Sequence, residues 1–339
     1  MIHYKAIGKI MGALLMLFSL LMLPGVGFSF YYGSGDHFPL IISGSASFLI
    51  GVILFFSFAK QDKNIRKREG YLIVTTSWLL MSFFGMLPYL LSGTATSISD
   101  AIFETVSGLT TTGASIFPDV ESLPKGILFW RSMTHWIGGL GIIVLTVAIF
   151  PLLGIGGIEL FVAESPGPTS DKLHPRIRET AKRLWYIYLG LTVVCTILFE
   201  LGGMTFFDAI NHAMAAMATG GFSTKNTSLA FYDSAFIDYT AILFMFLAGT
   251  NFTVIYFGLT GKFDRVWKSD EFKAYTGAIL AFAFFLTVPI YFYSGHDLEK
   301  AFRDTLFQVV SLITTTGFIT ADYTRYRSGL TLVFFLRGC

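Results

Sequence analysis

Asp100-Ala-Ile-Phe-Glu-Thr-Val-Ser-Gly-Leu-Thr-Thr-Thr-Gly113 is the stretch on which the fold turns. It returns without a gap as Asp208-Ala-Ile-Asn-His-Ala-Met-Ala-Ala-Met-Ala-Thr-Gly-Gly221, and again as Asp304-Thr-Leu-Phe-Gln-Val-Val-Ser-Leu-Ile-Thr-Thr-Thr-Gly317. In each copy an Asp stands thirteen residues before a Gly, and a Thr stands two before it: Thr111, Thr219 and Thr315. Ser107 matches Ser311, Phe103 matches Phe307, and Glu104, His212 and Gln308 share one position. Ten residues of helix rise about 15 Å, half the hydrocarbon thickness of a bilayer. A helix from the Asp to the residue before the Thr run therefore reaches mid-membrane and stops. The acid suits the positive end of the helix dipole, and the opposite end attracts cations. The Thr/Gly run beyond it must return as non-helical backbone, which is tolerated at that depth only when buried in protein or lining water. A lone Gly after a helix is an ordinary C-cap. Three aligned copies point instead to loops meeting around one axis and offering carbonyl oxygens, with Thr hydroxyls, to a dehydrated ion. The candidate ion-binding residues are Thr111, Thr112 and Gly113, Thr219, Gly220 and Gly221, and Thr315, Thr316 and Gly317.

Composition sets the surroundings of these loops. The 339 residues are 53% apolar and 17% aromatic but only 14% charged, with mean hydropathy +0.64. Soluble domains carry about 25% charged residues, so a water-soluble globule is excluded and an all-α integral membrane protein is expected. Net charge is +2, from 24 Lys+Arg against 22 Asp+Glu, and no basic or acidic tail argues for a nucleic-acid partner. Two cysteines, Cys195 and Cys339, exclude a disulfide framework, and Cys195 reads as a small buried hydrophobe.

Apolar runs long enough to span lie at Ile7 to Phe30, Phe38 to Ala59, Tyr71 to Leu91, Ile127 to Leu153, Leu184 to Leu201, Phe236 to Leu259 and Ala274 to Tyr293. Leu330 to Leu336 begins another. The first run exceeds the length of a signal-peptide core and is read as a retained helix. Lys60, Lys63, Arg66, Lys67 and Arg68 follow the second run, Lys172, Arg176, Arg178, Lys182 and Arg183 the fourth, and Lys262, Arg265, Lys268 and Lys273 the sixth. Basic loops stay in the cytoplasm, so the N-terminus is predicted inside and the three repeated segments enter from outside. The organisation expected is a leading helix pair at 1–69, then helix, re-entrant segment, helix units at 70–170, 171–261 and 262–339. Their loops fall at 110–114, 218–222 and 314–318, and the second helix of the third unit is incomplete.

Ser107-Gly-Leu-Thr-Thr-Thr-Gly-Ala-Ser115, Phe129-Trp-Arg-Ser-Met-Thr-His-Trp-Ile-Gly-Gly-Leu-Gly-Ile-Ile143 and Lys172-Leu-His-Pro-Arg-Ile-Arg-Glu-Thr-Ala-Lys-Arg-Leu-Trp185 resemble the TrkH/KtrB/HKT superfamily of K⁺ transporters, and most the bacterial TrkH branch. Ala218-Thr-Gly-Gly-Phe-Ser-Thr224 and Thr314-Thr-Thr-Gly-Phe318 carry the same resemblance. It implies four M1-pore helix-M2 repeats in pseudo-fourfold arrangement around a K⁺ filter. A Gly at the positions of Gly113, Gly221 and Gly317 accompanies K⁺ preference in that family, and a Ser in the first accompanies Na⁺ preference in some plant members. K⁺ is then the bound substrate ion, with Rb⁺ tolerated, Na⁺ disfavoured and no cofactor in the chain. The resemblance also implies the bacterial inner membrane and a homodimer seated on a cytosolic nucleotide-binding regulatory ring, TrkA-like. No G-x-G-x-x-G fingerprint occurs in the chain itself.

Three of the four repeats are present, and the chain stops at Gly338-Cys339, where the family's third M2 helix breaks into a gate. A C-terminally truncated piece of a longer protein is expected. Na⁺-conducting or non-selective transport, or a non-conducting fragment, are the alternatives.

Arg131 reads either as support for the filter or as a side chain snorkelling to the interface. Asn251, beside Gly249 and Thr250, reads either as a close helix contact or as cavity lining; Gly138-Gly139-Leu140-Gly141 has the same two readings. Gly338 is the gate candidate. Glu200, His135 and Trp136 read as interfacial. Intramembrane histidines and carboxylates are too sparse for an enzyme.

Overall fold

The structure, a computed structural model, describes residues 4–58, 67–139, 141, 177–294 and 297–320. Among these it is all-helical, without a strand. Five helices are long and apolar enough to span: Tyr4–Tyr32, His37–Ser57, Gly70–Leu91, Lys182–Leu201 and Asp270–Phe292. Among the described residues a bent pair, Ala235–Ala248 with Phe252–Leu259, makes a sixth if the two count as one span. The continuation of the predicted span beyond residue 141, the run at Leu330, the basic residues 60–66 and 172–176, and the gate candidate Gly338 lie outside the described residues.

Two compact units form. The first holds α1 (Tyr4–Leu20), α2 (Leu23–Tyr32), α3 (His37–Ser57), α4 (Lys67–Leu91), α5 (Ile98–Leu109) and α6 (Lys125–Gly139). Between hydrocarbon and protein there is no hydrophobic gain to drive helix association, so contact depends on close fit. Helix α3 follows that rule: its buried positions are Leu40, Ser43, Ser47 and Gly51, while Phe48, Leu49, Ile53 and Phe56 face outward. The small stripe lets α1 approach. A Cβ built on Gly12 would lie 2.5 Å from the Gly51 carbonyl oxygen and 2.5 Å from the Phe55 nitrogen. Gly12→Leu is therefore expected to cost at least about 1–3 kcal/mol through overpacking, read as a lower melting temperature of the detergent-solubilised protein.

Asp36, buried at 3% exposure, joins the leading helices to α6. Its Oδ1 accepts from Ser29 Oγ and Ser34 Oγ, each at 2.5 Å, and its Oδ2 accepts from the Ile127 N–H at 2.6 Å. An orphan amide in the first turn of α6 is thus capped by a carboxylate from another element, where the dipole favours negative charge.

The second unit begins within α7 (Ile177–Leu201) and holds α8 (Phe206–Met217), a 3₁₀ turn at Ser228–Tyr232, α9 (Ala235–Ala248) and α10 (Phe252–Leu259). It continues with α11 (Phe263–Trp267), α12 (Asp270–Ser294) and α13 (Leu298–Ile313), and it also includes Thr111–Gly113. The single span expected from Phe236 to Leu259 is corrected: α9 and α10 meet at 111°. Residues at the break explain it. The Phe246 carbonyl, released from its helical partner, accepts from Thr250 Oγ1 at 2.8 Å and from the Tyr275 hydroxyl at 3.1 Å. Asn251 then caps the new helix, accepting from the Thr253 N–H at 3.0 Å.

Candidate functional site

Helices α5 and α8, twelve residues each, start where the repeated Asp predicts. Ser97 and Thr205 are the N-caps, accepting from the Asp100 and Asp208 amides at 3.1 Å. The third copy differs. Helix α13 has sixteen residues and begins at Leu298, so Asp304 sits in its second turn rather than at its start, and Glu299 takes the first-turn position. Arg303 ties α13 to α9, with Nε 3.2 Å from Asp238 Oδ2 in a buried pair.

All three helices end in the same way. Thr110, Ala218 and Thr314 are the C-caps, and the next residues, Thr111, Thr219 and Thr315, have φ of 54°, 51° and 58°. In the second copy the Thr219 and Gly220 amides donate to Ala216 O at 3.1 Å and Ala215 O at 2.9 Å. In the third, Thr315 and Thr316 donate to Leu312 O at 3.1 Å and Ser311 O at 2.8 Å. This is the bonding of a Schellman cap, which ordinarily places Gly in the left-handed position. Here a β-branched Thr occupies it three times, a conformation that costs about 1–3 kcal/mol each and concentrates at functional sites. The glycines follow two residues on, with φ of 79°, 74° and 81° at Gly113, Gly221 and Gly317.

Within the second unit the loops lie side by side. A Cβ on Gly113 would collide with the Gly220 carbonyl oxygen, and a Cβ on Gly221 would collide with the Thr316 carbonyl oxygen. The same contact, glycine against the carbonyl one residue before the next glycine, thus relates first loop to second and second to third. This packing brings Gly113 together with Gly220, and Gly221 with Thr316 and Gly317.

Behind the loops stand polar side chains. Ser107 Oγ donates to Ala114 O at 2.6 Å, and its counterpart Ser311 Oγ donates to Phe318 O at 2.8 Å; the second copy has Ala215 there. Fully buried Glu104 accepts from Arg131 Nε at 2.5 Å, from the Ile116 N–H at 2.9 Å and from Ser115 Oγ at 3.0 Å. His212 occupies the same position in the second copy. Its Nδ1 lies 2.8 Å from Asp208 O and its Nε2 lies 2.7 Å from Ser223 Oγ. Because a carbonyl only accepts, Nδ1 carries the proton and Nε2 accepts from the serine. Asp208 accepts from Thr224 Oγ1 at 2.6 Å and from Thr205 Oγ1 at 3.0 Å, with Lys225 Nζ at 3.8 Å. Burial pushes its carboxyl up, but the Thr224 bond, the Lys225 charge and the Thr205 bond together outweigh it and hold the group below its ordinary value.

Arg131 is 3% exposed and paired, so its place is behind the first loop and not at the interface. His135 is corrected from interfacial to buried, whereas Trp136 is half-buried and Glu200 exposed. Gly138 is a close-contact residue: a Cβ there would collide with the Leu109 carbonyl oxygen. Asn251 is exposed and caps a helix end, with Nδ2 donating to Glu271 Oε2 at 3.4 Å. Gly249 supplies the close approach, since its Cβ would lie 2.7 Å from Thr314 Cγ2 and 2.7 Å from the Tyr275 hydroxyl. Sequence reasoning missed Ser115 and Ser223, although both stand two residues beyond an aligned glycine. Among the described residues no cluster of His, Cys, Asp or Glu has the makings of a metal site.

Short helices ending in strained Thr/Gly loops amid spanning helices mark a multi-pass membrane protein. A family model described as TrkH, cation transport protein, matches residues 37–293. The chain is 39% identical, over 99% of its length and 72% of the relative's, to the Trk system potassium uptake protein TrkH of Vibrio parahaemolyticus. It is 35% identical to the Trk system potassium uptake protein TrkG of Escherichia coli K12, over 98% of its own length and 69% of that protein's. The crystal structure of the potassium transporter TrkH from Vibrio parahaemolyticus superimposes with a TM-score of 0.84 at 35% identity, covering 98% of this chain and 69% of that one. This chain belongs to the TrkH family of cation transport proteins, and it is a multi-pass membrane protein.

Proposed function

We propose that this chain takes up K⁺ across the bacterial inner membrane, with the N-terminus in the cytoplasm and the ion passing the three Thr/Gly loops. The observation that carries the reading is the repeated contact of Gly113 with Gly220 O and of Gly221 with Thr316 O. Loops so packed present main-chain oxygens to one another's neighbourhood, and carbonyl oxygens replace the water shell of an alkali cation. Relatives named as potassium uptake proteins over nearly the whole chain support K⁺ as the substrate ion. In the family this chain resembles, Gly rather than Ser at the position of Gly113 accompanies preference for K⁺ over Na⁺.

In this reading α4, α5 and α6 belong to the unit at 70–170, α7 to α10 to the unit at 171–261, and α12 with α13 to the unit at 262–339. Transport involves no covalent chemistry. The resemblance to the family implies as partners a second copy of the chain and a cytosolic nucleotide-binding ring, TrkA-like. In a bacterium lacking K⁺ uptake, the full gene product is expected to restore growth on low K⁺, and Gly113→Ser is expected to reduce that rescue without loss of membrane-inserted protein. Rescue indifferent to replacement of Gly113 would overturn the assignment.

A further inference from the structure

The polar position shared by Glu104, His212 and Gln308 is buried in all three copies. It stands behind the loop, and in the first two copies its partner is the same: the serine two residues beyond the glycine. Glu104 takes the Ser115 hydroxyl at 3.0 Å and adds the Ile116 amide at 2.9 Å. His212 takes the Ser223 hydroxyl at 2.7 Å. A carboxylate and an imidazole share little chemistry beyond accepting a hydrogen bond, so the recurring element is the bond and its register. Each acceptor is itself fixed from behind, Glu104 by Arg131 and His212 by the Asp208 carbonyl. In the third copy the serine is replaced by Ile319, and the same point of the loop is held through its backbone: Ile319 N donates to Ser228 Oγ at 3.3 Å, and Ile319 O accepts from Ala230 N at 3.0 Å.

A loop with two left-handed residues in three has many ways to relax, and an oxygen cage discriminates between cations only while its dimensions are held. We propose that Glu104 and His212 are positioning residues for ion preference, each clamping the serine two positions beyond its loop's glycine. Neither touches the ion; each fixes the return of the loop from its strained turn. The inference rests on reading the loops as the ion path.

The test is Ser115→Ala and Ser223→Ala in the full gene product, which delete the clamped hydroxyl and leave the Glu104–Arg131 pair and the helices intact. Rb⁺ uptake and its inhibition by Na⁺ are measured per membrane-inserted molecule. Na⁺ is expected to compete about tenfold better in each variant, about 1.4 kcal/mol of lost discrimination. Ser115→Thr and Ser223→Thr, which keep the hydroxyl, are expected to stay within about twofold of the parent. If both alanine variants reach the membrane with the parental preference, the clamp is merely structural and the proposal falls. If one alanine variant fails to insert, the ion preference of the other decides between the same two outcomes. A Gly221→Ser variant run in parallel separates the two levels: changed preference there with unchanged preference in the alanine variants overturns only the clamp, whereas no change in either overturns the reading of the loops.

Discussion

Gly221→Ser is expected to abolish selective uptake while leaving insertion largely intact. Two costs fall on one atom. At φ of 74° the backbone occupies the left-handed region, which costs an L-residue roughly 1–2 kcal/mol. In addition, the new Cβ would occupy the place of the Thr316 carbonyl oxygen, with Gly317 C only 3.2 Å away. That neighbour is backbone, not a side chain that swings aside, so the third loop must shift for the second to be tolerated. Overpacking of this kind adds about 1–3 kcal/mol. Together the effects amount to a loss on the order of a hundredfold in selective uptake, read by Rb⁺ uptake with Na⁺ competition and normalised to protein in the membrane. Parental kinetics in Gly221→Ser would show that the loops are not in contact during transport.

The second large effect is expected from Gly138→Ala. The added methyl would overlap the Leu109 carbonyl oxygen, and it would also lie 2.8 Å from the carbonyl carbon and 3.2 Å from the Cα of Leu109. All three atoms belong to the last turn of α5, which cannot yield without moving the residues that lead into Thr111. Helix α6 must stand off from α5, and the Glu104–Arg131 contact that joins the same two helices is stretched with it. A penalty of about 1–3 kcal/mol for the packing alone is expected to lower the melting temperature of the solubilised protein by several degrees and to reduce uptake with it. Gly190→Ala, with nothing within 4 Å of the added atom, is the matched control and is expected to leave both unchanged. Equal melting temperatures for the two variants would remove Gly138 from the contact.

The spanning helices could be read from apolar run length because hydrocarbon demands about 20 apolar residues whatever the neighbours are. The loops were legible for another reason: the Asp-to-Gly segment occurs three times, and Thr111, Thr219 and Thr315 fall at one register in each copy. Two kinds of information were hidden. Pairing across elements was one. Arg131 lies far along the chain from Glu104, and its surface-like position in an apolar run fitted snorkelling as well as burial. The break at Gly249 was the other. Hydropathy treats Phe236 to Leu259 as uniform, while the bend depends on Tyr275, from a later helix, taking up the Phe246 carbonyl. The added length of α13 was concealed in the same manner, because the repeated Asp304 marks an alignment register and not the first turn.

Asp36 has a consequence for the order in which the protein is made. Its carboxylate serves Ser29 and Ser34 at once, but the Ile127 amide it also serves is 91 residues downstream. While the ribosome is still supplying that interval, the tip of the leading hairpin has one carboxylate oxygen waiting. The leading hairpin therefore gains this bond only when α6 arrives, after the first Thr/Gly loop has been synthesised.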